Sequence, residues 1–178
     1  AHIWFTVDFD PAEGFAGDPK YNRSVFNVSW PDKAWIGFYW NIDDRGMRAY
    51  VSTFSSGGPR FPVLIPSNSP EWKRGEKHVV TLSWGDEFAI YVDGVKKSSA
   101  PYKGTLDLPL DDATLGLQGD ELIYHAIKLT DEPFAGGAAP TPAVDEHTLL
   151  LDTFANWDGG AGTSPERAAQ GAGGTILG

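Results

Sequence analysis

The stretch 78–95, HVVTLSWGDEFAIYVDGV, constrains this chain more than any other. Val80, Leu82 and Trp84 share one face of an extended segment. Phe88, Ile90 and Val92 share one face of the next. Gly85-Asp86 joins the two, and Asp93-Gly94 closes the second. Period-two alternation punctuated by Asp and Gly predicts a β-hairpin.

The same pattern recurs along the chain. Strands are predicted near 3–9, 24–30, 34–42, 47–53, 61–65, 77–84, 87–93, 114–117, 121–129 and 148–154. No segment keeps a helical period. Gly (21) and Pro (13) are frequent enough to supply the turns that many short strands need. This pattern implies an antiparallel sandwich or barrel.

The hairpin resembles the central hairpin of the laminin-G-like, concanavalin A-like jelly-roll superfamily in its bacterial form. The segment 119–132, GDELIYHAIKLTDE, resembles that family's closing strand, with the acidic pair, the aliphatic positions and the final Leu at the same spacing. The resemblance covers roughly residues 34–134. It implies an all-β fold: an antiparallel β-sandwich of the concanavalin A-like jelly-roll type. It does not imply one activity, because that fold carries many.

The resemblance also sets the expected organisation. Residues 1–134 are read as the jelly-roll sandwich and 135–144, AGGAAPTPAV, as a Gly/Ala/Pro linker. Residues 145–178 then supply an opening-type strand. Within them DEHTLLLDTF resembles the family's first strand, and GAGGTILG resembles the family's glycine-rich segment just after that strand. The chain's own start, IWFTV, resembles the second major strand. Three readings stay open for the C-terminal segment: a permuted unit that folds back on itself, exchange with a neighbour, or the start of a next repeat.

Charge and composition narrow the function. The formal net charge is −10, which argues against nucleic acid, whose binding needs a basic surface. No run of about 18 apolar residues exists to insert into a membrane. There are no cysteines, hence no disulfide, thiol nucleophile or Cys-ligated zinc.

Catalytic patterns are absent from the sequence. Related β-glucanases carry paired carboxylates on one strand in an ExDxxE-like run, and none occurs here. Glycoside hydrolysis needs two carboxyls facing one bond. Tyr39, Tyr124, His125 and Arg48 have the residue types of a polysaccharide lyase but no motif spacing. GxSxG, HExxH and a phosphate loop are missing. His2, His78, His125 and His147 lie far apart, and no zinc site is read from them.

Aromatic residues carry the functional expectation. They make up 13% of the chain, with seven Trp. Sugar rings stack their C–H faces on Trp and Tyr, while Asn and Asp bond the hydroxyls. Trp35, Gly37, Tyr39 and Asn41 alternate with Ile36, Phe38, Trp40 and Ile42. One set is core, and the other is a platform with a shallow floor at Gly37. Trp30, Trp35, Tyr39, Asn41 and Trp72 are the ligand-binding candidates. For any single Trp the competing reading is core, since Trp is highly buried on average. The family resemblance adds one metal expectation: Asp120 and Asp152 match acidic positions that share a structural Ca2+. The acidic pairs Asp43-Asp44 and Asp111-Asp112 read as ordinary turn residues.

The sequence therefore predicts an extracellular or cell-surface recognition module without enzymatic activity, directed at glycans or cell-surface polysaccharide. The alternative is a structural repeat that self-associates through its C-terminal strand into arrays or filaments. A polysaccharide-active enzyme ranks third.

Overall fold

The computed structural model describes residues 2–8, 23–30, 34–41, 46–53, 63–64, 72–73, 75–102, 114–117 and 123–152. They form eleven strands: β1 His2–Asp8, β2 Arg23–Trp30, β3 Ala34–Asn41, β4 Gly46–Thr53, β5 Val63–Leu64, β6 His78–Trp84, β7 Glu87–Val92, β8 Val95–Pro101, β9 Thr114–Leu117, β10 Ile123–Thr130 and β11 Thr148–Asp152. Every pairing is antiparallel. One sheet has the order β11-β10-β1-β6-β7-β8, the other β5-β4-β3-β2-β9.

The hairpin explains the first sheet. Val80 pairs with Val92, Leu82 with Ile90 and Trp84 with Phe88, so all six side chains point the same way. All six are buried in one core with Phe5 from β1, Phe26 from β2, Ile36 and Phe38 from β3, and Met47 from β4. The two sheets meet there. Phe5 stacks on Phe26 with ring centroids 4.9 Å apart, and meets Phe38 edge-on at 5.7 Å. Burying one such side chain contributes about 1.5–3 kcal/mol.

The outer face of the six-stranded sheet is also buried along the row from β10 through β1 and β6 to β7. Trp4, Thr81, Tyr91 and Lys128 follow one another across it in register, and none is more than 4% exposed. The cover includes residues 131–147, which the composition reads as mostly linker. This segment docks as a strap. The Phe134 ring packs against His2 (5.6 Å) and Tyr91 (4.9 Å), and its N–H donates to Ser83 Oγ at 2.9 Å. The Gly137 N–H donates to the Gly94 carbonyl at 3.1 Å. Lys128 Nζ donates to the Ala143 carbonyl at 2.9 Å and to Asp145 Oδ2 at 2.5 Å. A β-carbon on Gly94 (φ +80°) would lie 2.0 Å from the Gly137 oxygen, so the close crossing requires glycine.

The strap returns the chain to the sheet edge, where β11 pairs with β10 of the same chain. Leu150 stands opposite Leu129, and Leu151 opposite Lys128. Leu151 is 3% exposed, and Leu149, at a bulge, packs against the core.

β8 is absent from the sequence expectation. Its residues, VKKSSAP, show little apolar alternation because β8 is the last strand of its sheet and largely exposed. Lys96 pairs with Glu87 across the hairpin. Charged and proline residues on such a strand discourage edge-to-edge pairing.

Candidate functional site

β3 carries the candidate face. Its core positions, Ile36 and Phe38, are fully buried. Alternation turns Trp35, Gly37 and Tyr39 to the outer face of the five-stranded sheet. Trp35 and Tyr39 are both half-buried there.

The floor between them is filled by a ring the sequence reading does not include. Tyr50 of β4 pairs with Gly37 in register. A β-carbon on Gly37 would lie 2.4 Å from Tyr50 Cζ and 2.5 Å from its Cε1 and hydroxyl. The tip of the Tyr50 ring thus lies over Gly37, in space that only glycine leaves open. Tyr50 meets Trp35 edge-on, 5.4 Å between centroids at 86°. It meets Tyr39 at 5.6 Å and 63°. These are favourable aromatic geometries, about 0.5–1.5 kcal/mol each beyond burial. Three rings therefore form one row, with Tyr50 in the middle.

The signal for Tyr50 was in the sequence. Residues 46–53 alternate, with Met47, Ala49 and Val51 buried and Arg48 and Tyr50 half-buried on the other parity. Linking Tyr50 to Gly37 needs the β3–β4 register, which the sequence does not supply. Arg48 stands opposite Tyr39 in that register. The Trp35 indole nitrogen is shielded from solvent, so this ring offers carbon surface rather than its N–H.

The other aromatic candidates separate. Trp72 is 8% exposed and belongs to the core cluster. Its ring stacks on His78 at 4.5 Å and 16°. The expectation of an exposed Trp72 is thus corrected: stacking on His78 turns it inward. His78 Nδ1 is 2.9 Å from Asp93 Oδ2, and Asp93 Oδ1 accepts the Val79 N–H at 2.9 Å. These bonds clasp the start of β6 to the β7–β8 turn, where Asp93 adopts φ +51°. The side chains of Trp30 and Asn41 lie outside the described set; their backbones are in β2 and β3.

Asp120, one half of the expected cation pair, lies outside the described residues. Asp152 stands opposite Ile127 in the β10–β11 register, and its side chain is likewise outside the described set. Among the described residues, no group of three or more His, Asp or Glu is arranged to hold a metal ion. Of the lyase residue types, Tyr39 and Arg48 are register neighbours, while His125 is on β10 of the other sheet.

Two groups of the strap, Asp145 and His147, have shifted ionisations. Lys128 and Thr148 bond the Asp145 carboxylate and hold its pKa at about 2. His147 Nδ1 lies 3.0 Å from Asp131, and its Nε2 lies 3.5 Å from Glu132 and 3.8 Å from Glu146. The bond to Asp131, with those charges, raises the His147 pKa. His2, buried under Phe134, is pushed the other way by loss of solvation.

No family model matches the chain, and no curated protein or solved structure is significantly similar to it.

Proposed function

We propose that this chain is a non-catalytic recognition module of the concanavalin A-like jelly-roll type, working outside the cell or at its surface and binding glycan through the outer face of its five-stranded sheet. The observation that carries this reading is the row Trp35, Tyr50 and Tyr39, three half-buried rings on one sheet face. A purely structural face would bury such rings. On a face open to water the rings gain only their edge-on contacts with one another, and a partner with apolar patches that covers them adds burial. Pyranose rings offer such patches with hydroxyls at their edges.

Two sheets around one core, and a C-terminal strand paired at the sheet edge, support the jelly-roll assignment. The reading carries with it a structural Ca2+ shared by Asp120 and Asp152. Chelator should lower the melting temperature, and Asp120→Ala should remove that response. An unchanged melting curve in chelator discards the cation and leaves the glycan reading standing.

The test of function is a glycan array probed with wild type and Trp35→Ala, alongside a reducing-sugar assay. Binding that Trp35→Ala loses, without sugar release, supports the proposal. Sugar release would favour the enzyme reading, and an empty array would remove the glycan.

A further inference from the structure

Asn27 stands on β2 opposite Gly37 of β3 on one side and Gly116 of β9 on the other. Its sequence neighbours Phe26 and Val28 are buried in the core, at 0% and 6% exposure. Alternation therefore turns Asn27 outward, where it is half-buried. The Tyr50 ring tip lies over Gly37, so the phenol reaches from β4 across β3 towards β2. Adjacent strands are about 4.8 Å apart, which sets the spacing from that tip to the Asn27 position. On the β9 side Gly116 raises no β-carbon beside Asn27, and on the β3 side the Tyr50 ring tip covers the buried Gly37. Ser29 and Trp35, paired in register, border this depression on one side, and Tyr39 on the other.

We propose that the step between the Tyr50 ring tip and Gly116 seats one sugar residue of a neutral glycan and that Asn27 is the residue that reads its hydroxyls. The inference rests on the glycan-binding reading above and adds to it a residue, a ligand charge and a direction across the strands. A carboxamide presents an acceptor oxygen beside donor N–H groups. Neighbouring pyranose hydroxyls each donate and accept, so one amide bonds two of them at once. The rings supply apolar contact that tolerates many sugars. The amide supplies orientation, because a hydroxyl pair of the wrong configuration leaves it desolvated and unpaired. Gly116 carries no side chain to hold the sugar off β9, and the Tyr50 ring tip that covers Gly37 forms the wall on the β3 side. An uncharged amide at the centre suits an uncharged ligand.

Isothermal titration of the full chain with neutral gluco-, manno- and xylo-configured hexasaccharides tests this. Wild type, Trp35→Ala, Asn27→Ala and Asn27→Asp are compared, with circular dichroism to confirm folding. Trp35→Ala and Asn27→Ala are each expected to weaken the best-bound hexasaccharide roughly tenfold, the loss of one or two net hydrogen bonds or one stacking contact. Asn27→Ala should also narrow the difference among the three sugars. If Asn27→Ala fails to fold, Asn27→Asp keeps the shape, removes the N–H donors and is expected to change the ranking of the three sugars. Loss in Trp35→Ala with wild-type affinity and selectivity in the Asn27 variants overturns the role of Asn27 while the aromatic reading survives. No binding of any hexasaccharide by wild type overturns both.

Discussion

At the scale of single residues, Gly37 is the position on which the proposed face depends. Its hydrogen lets the Tyr50 ring lie between Trp35 and Tyr39. Gly37→Ala would place a methyl 2.4 Å from the Tyr50 Cζ, and the ring tip, at the end of a rotatable side chain, must swing away. The expected result is a stable protein with weaker glycan binding; the readout is a titration beside a thermal melt. Loss of stability without loss of binding would mean the row is packing only. Trp72→Ala should behave oppositely. Its ring is in the core and stacked on His78, so truncation is expected to cost about 3 kcal/mol and to leave affinity unchanged. Parity made Trp35 and Tyr39 legible in the sequence. Trp72 was not, because it precedes β6 outside any alternating run and only the stack on His78 fixes its side.

At the scale of elements, the ten predicted strands are located to within a few residues. Composition reads 135–144 only as a linker and does not show its docking, and the reason is physical. Gly, Ala and Pro in residues 135–144 dock through backbone bonds and a glycine crossing, which leave no hydrophobic period to detect. Phe134→Ala removes the ring between His2 and Tyr91 and is expected to cost about 1–2 kcal/mol, less than full burial would. Denaturant unfolding measures this. The strap also has a defined pH response. The His147 pKa is raised in the fold, so its contribution is complete below the unfolded value of 6.5 and disappears as pH rises through the higher folded value. His2 is lowered, so charging it opposes the fold as pH falls below 6.5. Asp145 stabilises above its ordinary 3.8 and loses that contribution as pH falls towards about 2. Amide exchange at Gly137, corrected for intrinsic rate, should therefore quicken as pH rises from 6 to 8. His147→Gln should flatten that change, and an identical profile in both proteins would show the clasp at 131–147 to be inert.

At the scale of the whole molecule, the strap and β11 act together on one side while the aromatic row is on the other sheet. β11 pairs within its own chain, and the strap contacts on Ser83, Gly94 and Lys128 hold it there. Exchange of β11 with a neighbour, the basis of the array reading, would have to break those contacts or carry the strap along. Sedimentation is expected to show a 19.3 kDa monomer. Deleting residues 144–178 should leave a soluble domain of lower stability, because Lys128 loses Asp145 and β10 keeps β1 but loses β11. A wild type that polymerises, and a deletion that does not, would support exchange instead. Above all, glycan is expected to meet the five-stranded sheet and not the strapped one. Backbone amide chemical-shift mapping during titration with the best-bound neutral hexasaccharide distinguishes the two faces. Shifts should concentrate at Asn27, Trp35, Gly37, Tyr39 and Tyr50, with β6, β7 and residues 131–147 unmoved. Shifts confined to the strap and β11, with β3 and β4 unmoved, would contradict the glycan face proposed for this chain.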